Sequence, residues 1–261
     1  MKKILKKCKQ IAKSDLADEF VRARKRVFDE VLGVYEVFVD DKLSAKINKN
    51  KGRYVTIDTK AILNAEYEKF ERITSALKNE LRTFIKGTNV LVVGLGNYKL
   101  EADSLGVKTC DKVSVTRKIV DSDFCVSAII PGVVGSTGIE SFEIVKGVCE
   151  KVKPDTVIVV DSLCAGSVSR LLTTIQISDA GIVPGSGVSN HRMPLNELTL
   201  NAKVVSIGVP TVVYASTLIN EFDGKPFLSD LVVSPKDIDF AVRDCAKIIS
   251  GALNSLFGVF T

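Results

Sequence analysis

The 261-residue chain holds a single histidine, His191, and no C-x-x-C pair among its six cysteines. One histidine excludes a His-rich zinc site, although carboxylates can still hold a metal. Cys8, Cys110, Cys125, Cys149, Cys164 and Cys245 are scattered, several in apolar surroundings, and read as packed, reduced thiols. No apolar run reaches the roughly 18–20 residues of a membrane span. The N-terminus is basic but lacks the apolar core and small-residue cleavage site of a secretory signal. A cytoplasmic protein with no membrane partner is expected. Repeats, low-complexity tracts and linkers are missing too, so one α/β domain with an N-terminal extension is expected. Charge is not strongly of one sign, with a net +5 and 26% charged residues. The excess sits in the N-terminal third, in "MKKILKKCKQIAK", "RARKR" and "KINKNKGR". A solvated basic face accounts for it. Attraction to an acidic partner stays open, and no direct nucleic-acid binding is expected.

What is present is alternation. Residues 14–31 predict a helix with Ser14 as N-cap, because Leu16, Phe20, Val27 and Val31 recur at helical spacing. Residues 34–58 predict short strands around a Lys/Asn/Gly turn at 46–52, and 65–85 predict an amphipathic helix. From residue 89 the chain reads strand–helix–strand. Strands are predicted at 89–96, 124–132, 155–161, 173–187 and 203–213. Helices are predicted at 138–154, from 166, and at 234–257, the last with Ser234 as N-cap and Pro235 at its first position. Uninterrupted apolar strands such as "NVLVVGLG" belong to a parallel sheet covered on both faces. The fold class is therefore α/β, a doubly wound, mostly parallel sheet with helices on both faces.

Two acids stand out in that frame. In "VIVVDSLCAGS" an apolar strand runs into Asp161, and in "VLVVGLGNYKLEADSLG" a strand and a Gly-Asn turn lead to Asp103. Active groups of open α/β sheets collect at the carboxyl ends of strands, so neighbouring strands would bring both acids to one rim. Two close carboxylates raise one another's pKa, and such a pair can activate a water and protonate a leaving amine. Each Asp alone is equally readable as a turn or N-cap acid.

Other groups are more ambiguous. Gly94, Gly96 and Asn97 open like a dinucleotide fingerprint, but the third glycine and the helix do not follow, so they serve a tight loop. "PGSGVSNHR" (184–192) is a second Gly-rich loop, fit to wrap a ligand or to turn the chain. Cys164 with His191 forms a conceivable nucleophile dyad. Arg117 in "VTRK" is a candidate for a substrate carboxylate or a surface ion pair. Gly135, Thr137 and Glu140 feed a predicted helix start. Its N–H groups can polarise a carbonyl, or Thr137 can be the N-cap with Glu140 completing a capping box.

"VGLGN…ADSLG", "VTRK", "PGVVGSTGIES", "VKPDTVIVVDSL", "TTIQISDAGIVPGSGVSNHR" and "IGVPTVV" occur in this order, and together they resemble the germination protease family. That resemblance implies an endopeptidase that degrades small acid-soluble spore proteins. The expected compartment is the cytoplasm of the spore. An aspartate pair, carried here by Asp103 and Asp161, would do the chemistry with no cofactor. It also implies a zymogen that removes its own leader at an acid–large apolar–Ala site. "SDLAD" (14–18) puts that cut between Asp15 and Leu16, leaving 16–261 as the peptidase domain, and the family implies a homotetramer.

The chain departs from the family pattern in three places. The segment 214–233 is short, Glu101-Ala102 stands where Thr-Pro precedes the first acid, and Ser-Leu-Cys-Ala-Gly follows the second where a basic residue is usual. "GNYKLEADSLGV" is also similar to the loop of hydrogenase maturation peptidases, which would imply nickel held by carboxylates and His191. A catalytically altered binding homologue is the third reading.

Overall fold

The computed structural model describes residues 14–27, 32–64, 66–119, 121–185, 192–222 and 231–259. In chain order the strands are β1 (Arg24–Val27), β2 (Gly33–Val39), β3 (Gly52–Asp58), β4 (Asn89–Gly94), β5 (Cys125–Ile129), β6 (Thr156–Ala165), β7 (Thr174–Ser178), β8 (Lys203–Tyr214) and β9 (Val232–Val233). The helices are α1 (Asp41–Ile47), α2 (Lys60–Leu63), α3 (Phe70–Arg82), α4 (Leu105–Cys110), α5 (Val134–Thr137), α6 (Ser141–Val152), α7 (Glu197–Leu200), α8 (Ala215–Phe222) and α9 (Ile238–Leu256).

Apolar residues on both sides of the central strands decide the layering. Leu91, Val93, Val157, Val159 and Val204 point to one face, where they meet Val145 and Cys149 of α6 and Leu200 of α7. Their neighbours Val90, Val92, Ile158, Val160, Val205 and Ile207 point to the other, against α3, α4 and α9. Each such side chain withdrawn from water contributes about 1.5–3 kcal/mol. The protein is thus α/β, with helices on both faces of one sheet in the order β1-β2-β3-β7-β8-β6-β4-β5, and β9 on β8. β8, β6, β4 and β5 run parallel. From β8 outward through β7, β3, β2 and β1 every pairing is antiparallel, so the N-terminal extension continues the same sheet.

The helix expected over 14–31 does not form among the described residues. Leu16 is extended, Ala17–Glu19 make one 3-10 turn, and Arg24–Val27 pair with β2. Tertiary burial overrides the helical spacing here. Leu16 packs with Leu163, Ala165, Leu171 and Val213, whereas Ala17 packs with Val37, Val39, Ile47 and Tyr54, a divergence that one helical face cannot achieve. Ser14 caps no helix; its hydroxyl accepts from the N–H of Leu16 at 3.0 Å.

Several boundaries also move. The turn expected at 46–52 is preceded by α1, which Asp40 caps by accepting from the N–H of Leu43 at 2.8 Å. The helix expected from 166 is only a 3-10 turn at Val168–Arg170. α9 starts at Ile238, so Ser234 and Pro235 lie in the loop before it. β6 does not stop at Asp161 but runs four residues further, because β8 continues beside it past a bulge at Leu163/Cys164.

Candidate active site

β4 and β6 lie side by side with Gly94 level with Val160, and the N–H of Leu95 donates to Val160 O at 2.9 Å. The next residue of β6 is Asp161, 7% exposed. The chain leaving β4 returns to it through a tight loop. Asn97 N–H donates to Asp103 O, and Asp103 N–H to Leu100 O, each at 2.8 Å. Gly96 has φ +114, and a Cβ there would lie 1.9 Å from Asp103 O. Gly106 packs so closely that a Cβ would meet Val160 O at 2.2 Å, and at Gly94 it would meet Gly106 O at 2.3 Å. Thr211 Oγ1 of β8 fixes the loop from the far side by donating to Ala102 O at 2.7 Å. Three adjacent strands therefore hold Asp103 over Asp161.

Both acids line one cleft of about 310 Å³, together with Asp15, Leu100, Leu163 and Arg192. Burial pushes the Asp103 carboxyl up to about 6, against the opposing pull of an N–H donated by Asn97 and the charge of Arg192. Asp161 is raised well above the usual carboxylate range, first by burial and then by the charge of Asp103, with Asp15 adding to it. The adjacent N–H of Ser162 donates to its Oδ1 at 2.9 Å. Both carboxyls are thus pushed towards the protonated form, Asp161 by the deeper burial and by the charge of Asp103.

The N-terminal segment lies against the same cleft. Asp15 N–H donates to Cys164 O at 2.8 Å, and Cys164 N–H donates to Asp15 Oδ2 at 2.9 Å. Lys49 Nζ is 3.7 Å from Asp15 Oδ1 and donates to Ser14 O at 2.5 Å. Gln176 Oε1 accepts from Ala17 N–H at 2.9 Å while its Nε2 donates to Asp15 O at 3.2 Å. Asp18 pairs with Arg170, and Glu19 accepts from Gly166 N–H at 2.7 Å. Leu16 and Ala17 are fully buried.

The remaining candidates separate. Gly94, Gly96 and Asn97 build the loop that carries Asp103, and of these Gly96 lines the cleft. Arg117 is exposed in the loop before β5, its N–H on Val126 O near the start of that strand, away from the rim that carries the acids. Thr137 ends α5 rather than opening α6; its hydroxyl serves Val133 O and Ile139 O. Glu140 is itself the N-cap of α6, and its carboxylate lies 3.9 Å from Arg192 Nε. The third acid, Glu101, is exposed and paired with Lys108. Burial raises the Cys164 thiol to about 12, which leaves it neutral, and His191 lies outside the described residues. Among the described residues no three His, Cys, Asp or Glu side chains gather as a metal-ligand set.

Sequence reasoning missed Arg192. It ends the Gly-rich loop singled out as a possible ligand wrap, and its charge supplies the basic group absent beside Asp161 in sequence. No local signal distinguishes it from any other surface arginine.

Residues 2–224 match the model of the germination protease family, and the chain belongs to that family. It is 34% identical to the germination protease of Clostridium acetobutylicum, over 93% of this chain and 89% of the relative. It is 36% identical to that of Caldanaerobacter subterraneus, over 83% and 81% respectively. The identity is 42% to that of Priestia megaterium, over 71% of this chain and 54% of the relative. Among solved structures, a [NiFe] hydrogenase maturation protease from Thermococcus kodakarensis aligns at 20% identity and a TM-score of 0.37, covering 66% of this chain and 96% of its own. That likeness is too slight to bear on function. No helix among the described residues is long and apolar enough to cross a membrane.

Proposed function

We propose that this chain is an endopeptidase of spore germination in which Asp103 and Asp161 act as one coupled acid pair. The observation that carries the reading is that a single cleft is lined by both acids and by Asp15, the residue expected before the self-cleavage site. Near pH 7 Asp103 is the ionised member, because burial raises it only to about 6, and the more buried Asp161 keeps the shared proton. Asp103 takes a proton from a water, and the water oxygen adds to the scissile carbonyl carbon. The proton of Asp161 passes to the carbonyl oxygen. Asp103 then gives its proton to the leaving nitrogen as the C–N bond breaks, Asp161 takes the proton of one gem-diol hydroxyl as the carboxyl product forms, and the acids return to one proton between them.

The substrates in this reading are small acid-soluble spore proteins, cut after Glu or Asp and before a large apolar residue and Ala. The chain is its own first substrate, cut between Asp15 and Leu16 to release residues 1–15. Hydrogen bonds from Cys164 and Gln176 to Asp15, and the burial of Leu16 and Ala17, support that assignment. The compartment is the spore cytoplasm and the assembly a homo-oligomer, tetrameric as the family resemblance implies; light scattering on the purified chain tests the latter.

The test is cleavage of a small acid-soluble spore protein by the wild type, D103N and D161N, with and without EDTA, with the new N-termini sequenced. Cleavage after an acid, lost in both variants and indifferent to EDTA, supports the acid pair. Loss in EDTA points to a carboxylate-held metal. No cleavage even after removal of residues 1–15 identifies an altered, binding homologue.

A further inference from the structure

Lys49 and Gln176 hold the expected cut site by contacts that no part of the acid-pair chemistry requires. Lys49 leaves α1 in the turn before β3, and its side chain is only 16% exposed. Burial lowers the pKa of its ammonium, and the first influence holding the charge in place is the Asp15 carboxylate. A buried cation is costly unless a carboxylate comes to it. Its ammonium also meets a main-chain oxygen, Ser14 O, and the face of Phe20 at 5.8 Å. These contacts come from residues 14–20, the segment the proposed self-cleavage would cut.

Gln176 sits in the middle of β7, 7% exposed, between Thr56 of β3 and Gly208 of β8. Both ends of its amide are spent on the main chain that brackets the Asp15–Leu16 bond. The NH2 group donates to the carbonyl oxygen of Asp15, and the oxygen accepts from the N–H of Ala17. These partners fix which end of the amide is which. A main-chain bracket of this kind reads no side chain, so it suits any peptide laid in the same groove. The donor falls on the oxygen that would gain negative charge when water adds to that carbonyl.

We propose that residues 14–17 lie in the groove that substrates use, and that two residues read what enters it. Lys49, with the N–H of Cys164, selects an acidic side chain before the cut, and Gln176 holds the scissile peptide by its carbonyl and by the N–H two residues on. The pockets of Leu16 and Ala17 accept a large apolar and a small residue in turn. This rests on the endopeptidase reading above, because Asp15–Leu16 matters only if it is a cleavable bond.

The experiment uses the chain lacking residues 1–15 and two synthetic peptides, one carrying the sequence of residues 10–22 and one with Asn in place of its Asp at the cut. A charge-assisted contact corresponds to roughly a 10–150-fold preference in kcat/KM for the acidic peptide in the wild type. K49M and K49Q are expected to reduce that ratio to below about fivefold, with a far larger loss on the acidic peptide than on the Asn peptide, and K49R to restore part of it. Q176E, which keeps the acceptor and loses the donor, is expected to cut both peptides about 10–100-fold more slowly with the ratio intact. An unchanged ratio in K49M and K49Q overturns the role of Lys49. So does an equal loss on both peptides, which marks a structural lysine. Wild-type rates in Q176E overturn the role of Gln176. A wild type that cuts neither peptide overturns the endopeptidase reading, and this inference with it.

Discussion

At the entry to β6, Asp155 accepts two hydrogen bonds with one carboxylate oxygen, from the N–H groups of Thr88 and Asn89 at 3.0 and 2.9 Å. Gly87, at φ +67, leaves the room for it, since a Cβ there would lie 2.3 Å from the Asp155 carboxyl carbon. Six residues along the same strand, Asp161 is buried, takes an N–H from its own neighbour, and faces the charge of Asp103. The first carboxylate is placed where main-chain donors want it, and it closes a turn. The second is placed where its charge is opposed. An acid on a strand is thus assigned by its surroundings, by how many donors it receives and by which charges face it, not by the strand that carries it.

The largest effect that would break this comparison lies at the second acid. D161N and D103N are each expected to lower kcat/KM for a spore-protein substrate by at least ~10³-fold. D155N is expected to leave it within about threefold, since Asn keeps an acceptor for the same donors. Equal losses in all three variants would show that Asp155 does not differ in function from the two acids of the cleft.

The next effect is on stability. Gly96→Ala forces a side chain into a backbone at φ +114 and against Asp103 O. It is expected to cost about 2–5 kcal/mol by chemical denaturation. D155A, which strips the acceptor from two N–H groups, is expected to cost about 1–3 kcal/mol. D161N should do the opposite and raise the melting temperature by roughly 2–6 °C, because it removes an opposed, buried carboxylate. A fall in that variant would show that Asp161 supports the fold as Asp155 does.

The pH dependence is the finest test. Asp103 acts as the ionised member, so kcat/KM is expected to fall about tenfold per unit as the pH drops below about 6. Stability moves the other way. The folded state binds the Asp103 proton more tightly than the unfolded chain does, so this group adds stability as the pH falls from about 6 towards 3.8. Arg192→Gln removes a charge that holds Asp103 down, and should shift the acidic limb of the activity profile to higher pH. A limb that stays in place would show that Arg192 does not govern the pair.

Periodicity and punctuation located most of the parallel half of the sheet. "NVLVVGLG", "DTVIVVD" and "KVVSIGVPTVV" read as buried strands because both faces of each are apolar, and β4, β6 and β8 occupy those places. Asp161 was legible for the same reason, since it interrupts an apolar run, and Asp103 as an acid in the loop that leaves one. The N-terminal segment was not legible. Leu16 and Phe20 repeat at helical spacing, yet Leu16 enters a pocket whose residues lie about 150–200 positions on, and Ala17 a different one built largely by β2, α1 and β3. Arg192, Lys49 and Gln176 were equally hidden, because each is singled out by a partner distant in sequence.

The sequence by itself determined the layers, the strand that carries Asp161, and the glycines at 94, 96 and 106 that let the loop of Asp103 and α4 close on it. Those follow from local rules of burial and backbone conformation. Only the tertiary structure decided that β6 continues past Asp161, that Asp15 reaches the same cleft as the acid pair, and which cation stands beside each carboxylate. Such contacts join residues remote along the chain, and no local energy term records them until the sheet has closed.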